Sequence, residues 1–464
     1  MPIEDLDSLP RESDATPASH PRGRISRRDF LRVAGAAGAG AALAACSPAS
    51  KATVASGGKI QLVYQDWRTD WFPGLAQAML EEFHESHPNI QVFFTMDPED
   101  LGDVMIADFQ AGTAPDVFAG CCDFFPSWAQ QGYLLDLRPF VQADLDQETL
   151  GDWSPAQVES LRTADGQQFG LPKYHGALAL YYNKDLFDAH AVEYPDGTWT
   201  HDDYLEAMKR LGRSLAGQGV ADVYPGMVDI AWERIQMHVN GWGGHLVDPE
   251  DPHRSWIARP EALAAMEWIR ARMWDDRVMA SFLDVGDLET RRAFIQGRVA
   301  TVEDGSWSLK DILAGAPFRI GVAPFPAGPA RRVTLATTDG FGIYAGTRHP
   351  EAAWELVKFL ISQEYGRAMA KAHFLQPARR SLIPEWIGFI RDEFPEATQG
   401  LDLEAFADGH VRGYSVTAEI FANMAAARSI VEPAWQRIFT LGQAPVSEMV
   451  KVSAAIEMAQ SAAP

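Results

Sequence analysis

The first third of the chain alternates short apolar runs with stretches of helical periodicity. Residues 59–64 (KIQLVY) form a β-rich run. Residues 73–86 follow, with Leu75, Met79, Leu80 and Phe83 at helical spacing, and His87-Pro88-Asn89 stops that helix. Residues 90–95 (IQVFFT) read as a second strand. Leu101, Val104, Met105 and Phe109 mark a second helix ended by Gly112, and residues 116–120 (DVFAG) a third strand. Strand, helix, strand, helix, strand predicts a parallel sheet with helices on its faces. Ligands of such sheets bind beyond the carboxyl ends of the strands. Those ends are Asp66-Trp67 and Cys121-Cys122-Asp123-Phe124.

The pattern changes at residues 169–187 (FGLPKYHGALALYYNKDLF). A Gly-Leu-Pro joint leads into a small, apolar run that reads as a buried strand, and Tyr174-His175 sits at the joint itself. A stiff strand after such a joint suits a chain crossing between two lobes, which a length of 464 residues also favours over one core. Residues 163–170 read as a hairpin turning at Asp165-Gly166, and Thr200 as the cap of a helix over 202–215. Residues 229–244 begin helical and end in a glycine turn bearing Trp242. Residues 299–302 form a strand, followed by a loop with Trp307. The strand-like run 318–323 is expected to cross back to the first lobe, residues 375–380 to cross once more, and the mainly helical stretch 415–439 to pack on the second lobe.

The N-terminus is an address. Residues 1–25 are polar and lack periodicity. Residues 26–32 (SRRDFLR) precede an Ala/Gly-rich run that closes with LAAC at 43–46. This order resembles a twin-arginine signal joined to a lipoprotein lipobox. The resemblance implies export in the folded state, cleavage before Cys46 and lipidation of that thiol; a plainer reading is a disordered leader with a chance cysteine. Residues 1–46 are then the signal and 47–58 (SPASKATVASGG) a flexible tether. Six acidic and six basic residues precede Cys46, so the mature chain keeps the formal charge of -23. That charge argues against nucleic acid and anionic lipid as partners and disfavours an anionic ligand. Three cysteines exclude a disulfide framework. No apolar run of about 18 residues lies beyond residue 50, so no membrane span is expected in the mature chain.

The blocks HPNIQV, GTAPDVFAG, WAQQGYLLDLRPFV, the joint segment, FIQGRVATVEDGSW and GTRHPEAAWELVKFL follow the order seen in the extracellular solute-binding proteins of sugar-type ABC importers. The resemblance covers about residues 58–443. It implies an α/β, two-lobed periplasmic-binding-protein fold: discontinuous lobes joined by hinge crossovers, with a ligand cleft between them. Residues 59–171 with 318–375 would form the first lobe, and 172–317 with 376–464 the second. It also implies a monomer serving a membrane permease and its ATPase, with no metal or cofactor.

Sugars lay C–H faces on aromatic rings and offer hydroxyls to carboxylates, amides and arginines. Asp66, Trp67 and Asp123 at strand ends and Tyr174-His175 at the joint are candidates of that type. The resemblance adds Trp232 and Trp307 as stacking aromatics, Trp242 in a ligand-facing glycine turn, and Asp339-Gly340 as a small-residue turn beside the ligand. Each also has a plainer role open to it: burial for the tryptophans, capping or turn formation for the aspartates, joint packing for Tyr174-His175. Gly120 stands where relatives often carry an aromatic, and Gly176 where they can carry an acidic contact. Cys121-Cys122 are either two small buried thiols or a strained vicinal ring beside the pocket. GxSxG, HExxH, CxxC and Walker motifs are absent. A glycosidase would need two carboxylates across a sugar, which Asp66 with Asp123 could mimic. Among binding proteins, a polyamine or a glycerol phosphodiester competes with a sugar as the ligand.

Overall fold

The computed structural model describes residues 58–461 apart from Asp123 and Thr338. The signal motifs, Cys46, residues 47–57 of the tether and the candidate Asp123 lie outside these residues. The first sheet contains β1 (Ile60–Asp66), β2 (Ile90–Met96), β3 (Val117–Gly120) and β4 (Leu171–Pro172). The second begins with β5 (Leu178–Asn183) and β6 (Gly226–Met227). A hairpin of β7 (Val247–Asp248) and β8 (Asp251–Ser255) stands apart. The second sheet is completed by β9 (Met279–Ala280), β10 (Thr301–Gly305) and β11 (Ile320–Ala323). β12 (Thr334–Leu335) pairs in parallel with β14 (Ser415–Val416), while β13 (Gly340–Ile343) returns to the first sheet. The strand orders are β2-β1-β3-β13-β4 and β11-β5-β10-β6-β9.

The predicted β-α-β-α-β start is present. β1 pairs in parallel with β2 from Ile60↔Ile90 to Asp66↔Met96, and with β3 at Tyr64↔Val117. The helix Phe72–Ser86 has a proline in its first turn, where no intrahelical N–H is needed, and buries Ala76, Met79, Leu80 and Phe83 on the sheet. Burial of each large apolar side chain contributes roughly 1.5–3 kcal/mol. Pro350–Leu360 seals the sheet too, through Trp354, Leu356 and Val357. In the second lobe, Pro260–Trp274 and Met424–Trp435 pack around Met266, Val431 and Trp435. Thr200 caps the helix His201–Gly217 in a reciprocal box with Asp203. The hairpin turn at Asp165-Gly166 forms, with Gly166 at φ +85° and Arg162 bridging Gln168.

One expected crossing moves. The run 318–323 does not lead into the first lobe: β11 pairs antiparallel with β5 from Ile320↔Asn183 to Ala323↔Leu180. It is therefore an edge strand of the second sheet, and the chain crosses only after Ala323. The physical reason is that the free edge of β5 can accept a strand, while the first sheet receives its antiparallel strand from β13.

Three chain segments pass between the sheets, and they are hydrogen-bonded to one another. The joint segment lies in the middle. Lys173 N donates to Asp339 O at 3.1 Å, and Thr337 N to Gly176 O at 2.8 Å; on the other side, His175 N donates to Gln376 O at 2.9 Å. Single bridges Ala177↔Ala336 and Tyr174↔Pro377 continue the pattern. Gln157 braces the joint, its Nε2 donating to Tyr174 O at 2.6 Å.

Candidate functional site

Strand ends and crossings together line a cleft of about 830 Å³ between the sheets. The loop after β1 contributes Trp67 and Trp71, the end of β2 contributes Asp97, and the crossings contribute Tyr174 and Asp339. Arg291 and Trp307 face them from the second lobe. A smaller compartment of about 220 Å³ opens on the other side of Trp307 and Asp339, lined by Cys122, Asp229, Glu233, Arg234 and Thr337 among others. Trp307 and Asp339 thus border both spaces.

Trp307 sits in the 3-10 turn Ser306–Ser308, immediately after β10, and is half-buried. Gly305 makes room for it: a Cβ there would lie 2.2 Å from the indole. The Arg234 guanidinium lies 5.7 Å from its ring centroid. Trp67 meets Tyr174 edge-to-face at 5.4 Å, and Trp71 stacks on His373 at 4.7 Å with planes 7° apart. These offset and edge arrangements hold the rings in fixed orientations.

Below the aromatics lies a buried charge cluster. Lys173 pairs with Asp66, both fully buried, and its ammonium stands 3.1 Å from the Trp67 centroid. Tyr64 also donates to Asp66, as does Trp67 N at 2.7 Å. Asp66 is therefore sealed beneath the cleft by the strand-end aromatics. Burial lowers the Lys173 pKa, and the Asp66 charge offsets part of that fall. Burial, reinforced by Asp66, pushes Asp97 up to about 7, with Lys173 opposing. Burial likewise pushes Asp339 up to about 6, again against Lys173. Asp97 Oδ1 and Arg234 Nη1 are buried without a hydrogen-bond partner among the described residues, one an acceptor and the other a donor.

The sequence candidates thus separate. Trp67, Tyr174, Trp307 and Asp339 come together on the cleft. Asp66 supports it from below. His175 points elsewhere: it is fully buried against His410, with ring centroids 4.0 Å apart, and burial drives its pKa well down. Trp232 is 2% exposed, packed on Phe421 and Trp435, with its indole N–H given to Glu419 O at 2.8 Å. Trp242 packs on His201 and Trp268. Gly340 pairs with Gly120 and Pro172 inside the first sheet, where a Cβ would approach Leu171 O to 2.9 Å; its glycine serves strand packing. Sequence reasoning misses Trp71, Asp97, Lys173 and Arg234. Trp71 and Asp97 both follow strand ends, the signal that finds Trp67. Among the described residues, no group of three or more His, Cys, Asp or Glu is placed to hold a metal ion.

Two α/β lobes, linked by crossing segments and lining a cleft with strand-end loops, define a two-lobed binding protein of the periplasmic type. The chain belongs to the bacterial extracellular solute-binding proteins: the family model matches residues 66–367. A twin-arginine translocation signal model matches residues 24–44, which marks the chain for export. The chain is 24% identical over 329 residues to the maltodextrin-binding protein MdxE of Bacillus subtilis, covering 68% of this chain and 72% of that protein. The structure of the ABC substrate-binding protein Lmo0181 from Listeria monocytogenes in complex with cycloalternan superposes with a TM-score of 0.74. It shares 21% identity and covers 87% of this chain and 99% of that one. UgpB from Mycobacterium tuberculosis in complex with glycerophosphocholine superposes with a TM-score of 0.68 at 19% identity, covering 87% and 98%.

Proposed function

We propose that this protein captures a carbohydrate in the cleft and delivers it to the permease and ATPase of an ABC importer. The observation that carries the reading is the pairing of aromatic faces with unspent polar atoms. Trp67 and Trp307 border the space from opposite lobes, while Asp97 Oδ1 and Arg234 Nη1 are an acceptor and a donor without partners among the described residues. A neutral polyol supplies both complements, C–H faces and hydroxyls that donate and accept. A phosphodiester fits less well, because Asp70, Asp97, Asp311 and Asp339 border the cleft and its cations Arg68, Arg291 and Lys310 are paired with Glu99, Asp311 and Glu393. The glycosidase reading loses one of its two carboxylates, since Asp66 is fully buried. Capture proceeds by closure of the lobes, driven by the ligand's greater affinity for the closed form. The protein acts as a monomer held at the cell envelope by lipid on Cys46.

Thermal shifts of the mature protein against mono- and oligosaccharides, with polyamines and glycerophosphocholine alongside, test this. Stabilisation by a sugar that is recovered unchanged supports it. Stabilisation by the other solutes alone, or turnover of the sugar, overturns it. Release of a Cys46→Ser variant from the membrane fraction is expected; retention would remove the lipid anchor from the reading.

A further inference from the structure

Cys121 and Cys122 follow β3 directly, at the carboxyl end of a central strand of the first sheet. Their Sγ atoms lie 3.0 Å apart. As residues, Cys122 is exposed and Cys121 half-buried, while the Cys122 sulfur itself is desolvated by its surroundings. Cys122 lines the smaller compartment together with Trp307, Asp339 and Glu233. Its backbone has φ +56°, a left-handed conformation that side-chain-bearing residues adopt at a cost. The two thiols therefore face each other at the wall of the smaller compartment, with Cys122 on its lining.

We propose that Cys121 and Cys122 are a reversible modification site, closing after export into a vicinal disulfide that forms part of the compartment wall. A chain exported in the folded state meets its oxidant only once folded, so the sulfur that engages it first has to border an open space, as Cys122 does on the smaller compartment. The oxidant is the disulfide of a thiol–disulfide exchange protein. The Cys122 thiolate attacks one of its sulfurs, forming a mixed disulfide and expelling one thiol. Cys121 then attacks the Cys122 sulfur, forming the Cys121–Cys122 bond and expelling the second thiol. The exchange protein leaves as a dithiol, two electrons richer, and carries the two hydrogens lost from the pair. Adjacent Cα atoms stand about 3.8 Å apart, closer than the roughly 4.4–6.8 Å of ordinary disulfides. The ring is thus strained and readily reduced, which suits a wall that is switched rather than a structural staple. The contact with Cys121 raises the Cys122 thiol pKa, so closure is slow without a catalyst.

The test traps thiols in intact cells that export the full chain. Cells are treated with N-ethylmaleimide, quenched in acid and digested, and the peptide holding both cysteines is weighed. That peptide is expected without maleimide and two hydrogens lighter than the dithiol. Reduction before labelling should add two maleimides. Cys122→Ser should leave Cys121 fully labelled without reduction. Two maleimides on the unreduced peptide overturn the proposal, as does a disulfide to a second chain. Purified reduced protein treated with oxidised glutathione gives a second measure: loss of both thiols with no glutathione retained supports the ring, and a stable glutathione adduct overturns it.

Discussion

Two tryptophan-bearing stretches look alike as sequence and end in opposite places. Residues 66–71 (DWRTDW) and residues 232–242 (WERIQMHVNGW) each carry two tryptophans with charged residues between them. The first fills the gap between the end of β1 and the helix Phe72–Ser86. In that loop Trp67 and Trp71 rest on the rim of the first-lobe core and leave part of their surface on the cleft. The second opens the helix Trp232–Gly241, whose apolar face is laid on the second-lobe core, and Trp232 goes with that face. Composition proposes a stacking aromatic; the element that carries it decides.

The largest effect should come from the core side of this comparison. Trp232→Ala is expected to cost about 3–5 kcal/mol of folding stability, read from denaturant unfolding of the unliganded protein, with ligand affinity of the folded fraction little changed. A ligand-affinity loss at undiminished stability would return Trp232 to the cleft. Next comes the buried pair beneath Trp67. Lys173→Met leaves Asp66 uncompensated and should cost about 3–5 kcal/mol; the double variant with Asp66→Asn should recover much of that. Recovery that fails would mean Lys173 acts mainly through the Trp67 face.

Trp307→Ala should behave as the reverse of Trp232→Ala. Loss of one stacking face is worth about 1.5 kcal/mol, or roughly tenfold in Kd by titration calorimetry, with a smaller stability loss than Trp232→Ala. The last effect is a pH dependence. Asp97 and Asp339 have folded pKa values raised to about 7 and about 6, so between their unfolded values near 4 and those limits the folded form binds more protons than the unfolded one. The contribution of these two carboxyls to stability therefore falls as pH rises from about 4 to about 7, against an opposite contribution from the buried His175, His201 and His410, whose pKa values burial lowers. Asp97→Asn removes its share of that fall, so melting curves of the variant should gain on those of the parent protein as pH rises from about 4 to about 7; a difference that does not change with pH would remove Asp97 from its cause.

The alternation of β1 to β3 with helices is legible in the sequence because each apolar run has one period and each ends at a breaker. β11 is not, because residues 318–323 state only that they are a strand; the partner is chosen by which sheet has a free edge. Lys173 hides because a lysine beside Pro172 and Tyr174 looks like a solvated joint residue. Its burial requires Asp66, 107 residues earlier. Asp97 is within reach of the strand-end rule, applied to β2 as it is to β1. Trp232, Trp242 and His175 show the rule's converse: helix faces and β-bridged joints turn inward even when their residue types suit a ligand.

The three crossing segments form a narrow strip in which the middle one is held on both sides. Independent flexible linkers would leave each lobe to explore many orientations, and closure would forfeit that freedom. A strip already bonded edge to edge admits chiefly twisting and bending about its own length. The search for the closed arrangement is then nearly one-dimensional, and little of the ligand's interaction energy is consumed in ordering the linkers. Speed of capture would then be a property of the strip, set by backbone bonds such as Thr337 to Gly176 and His175 to Gln376 as well as by the side chains that meet the ligand.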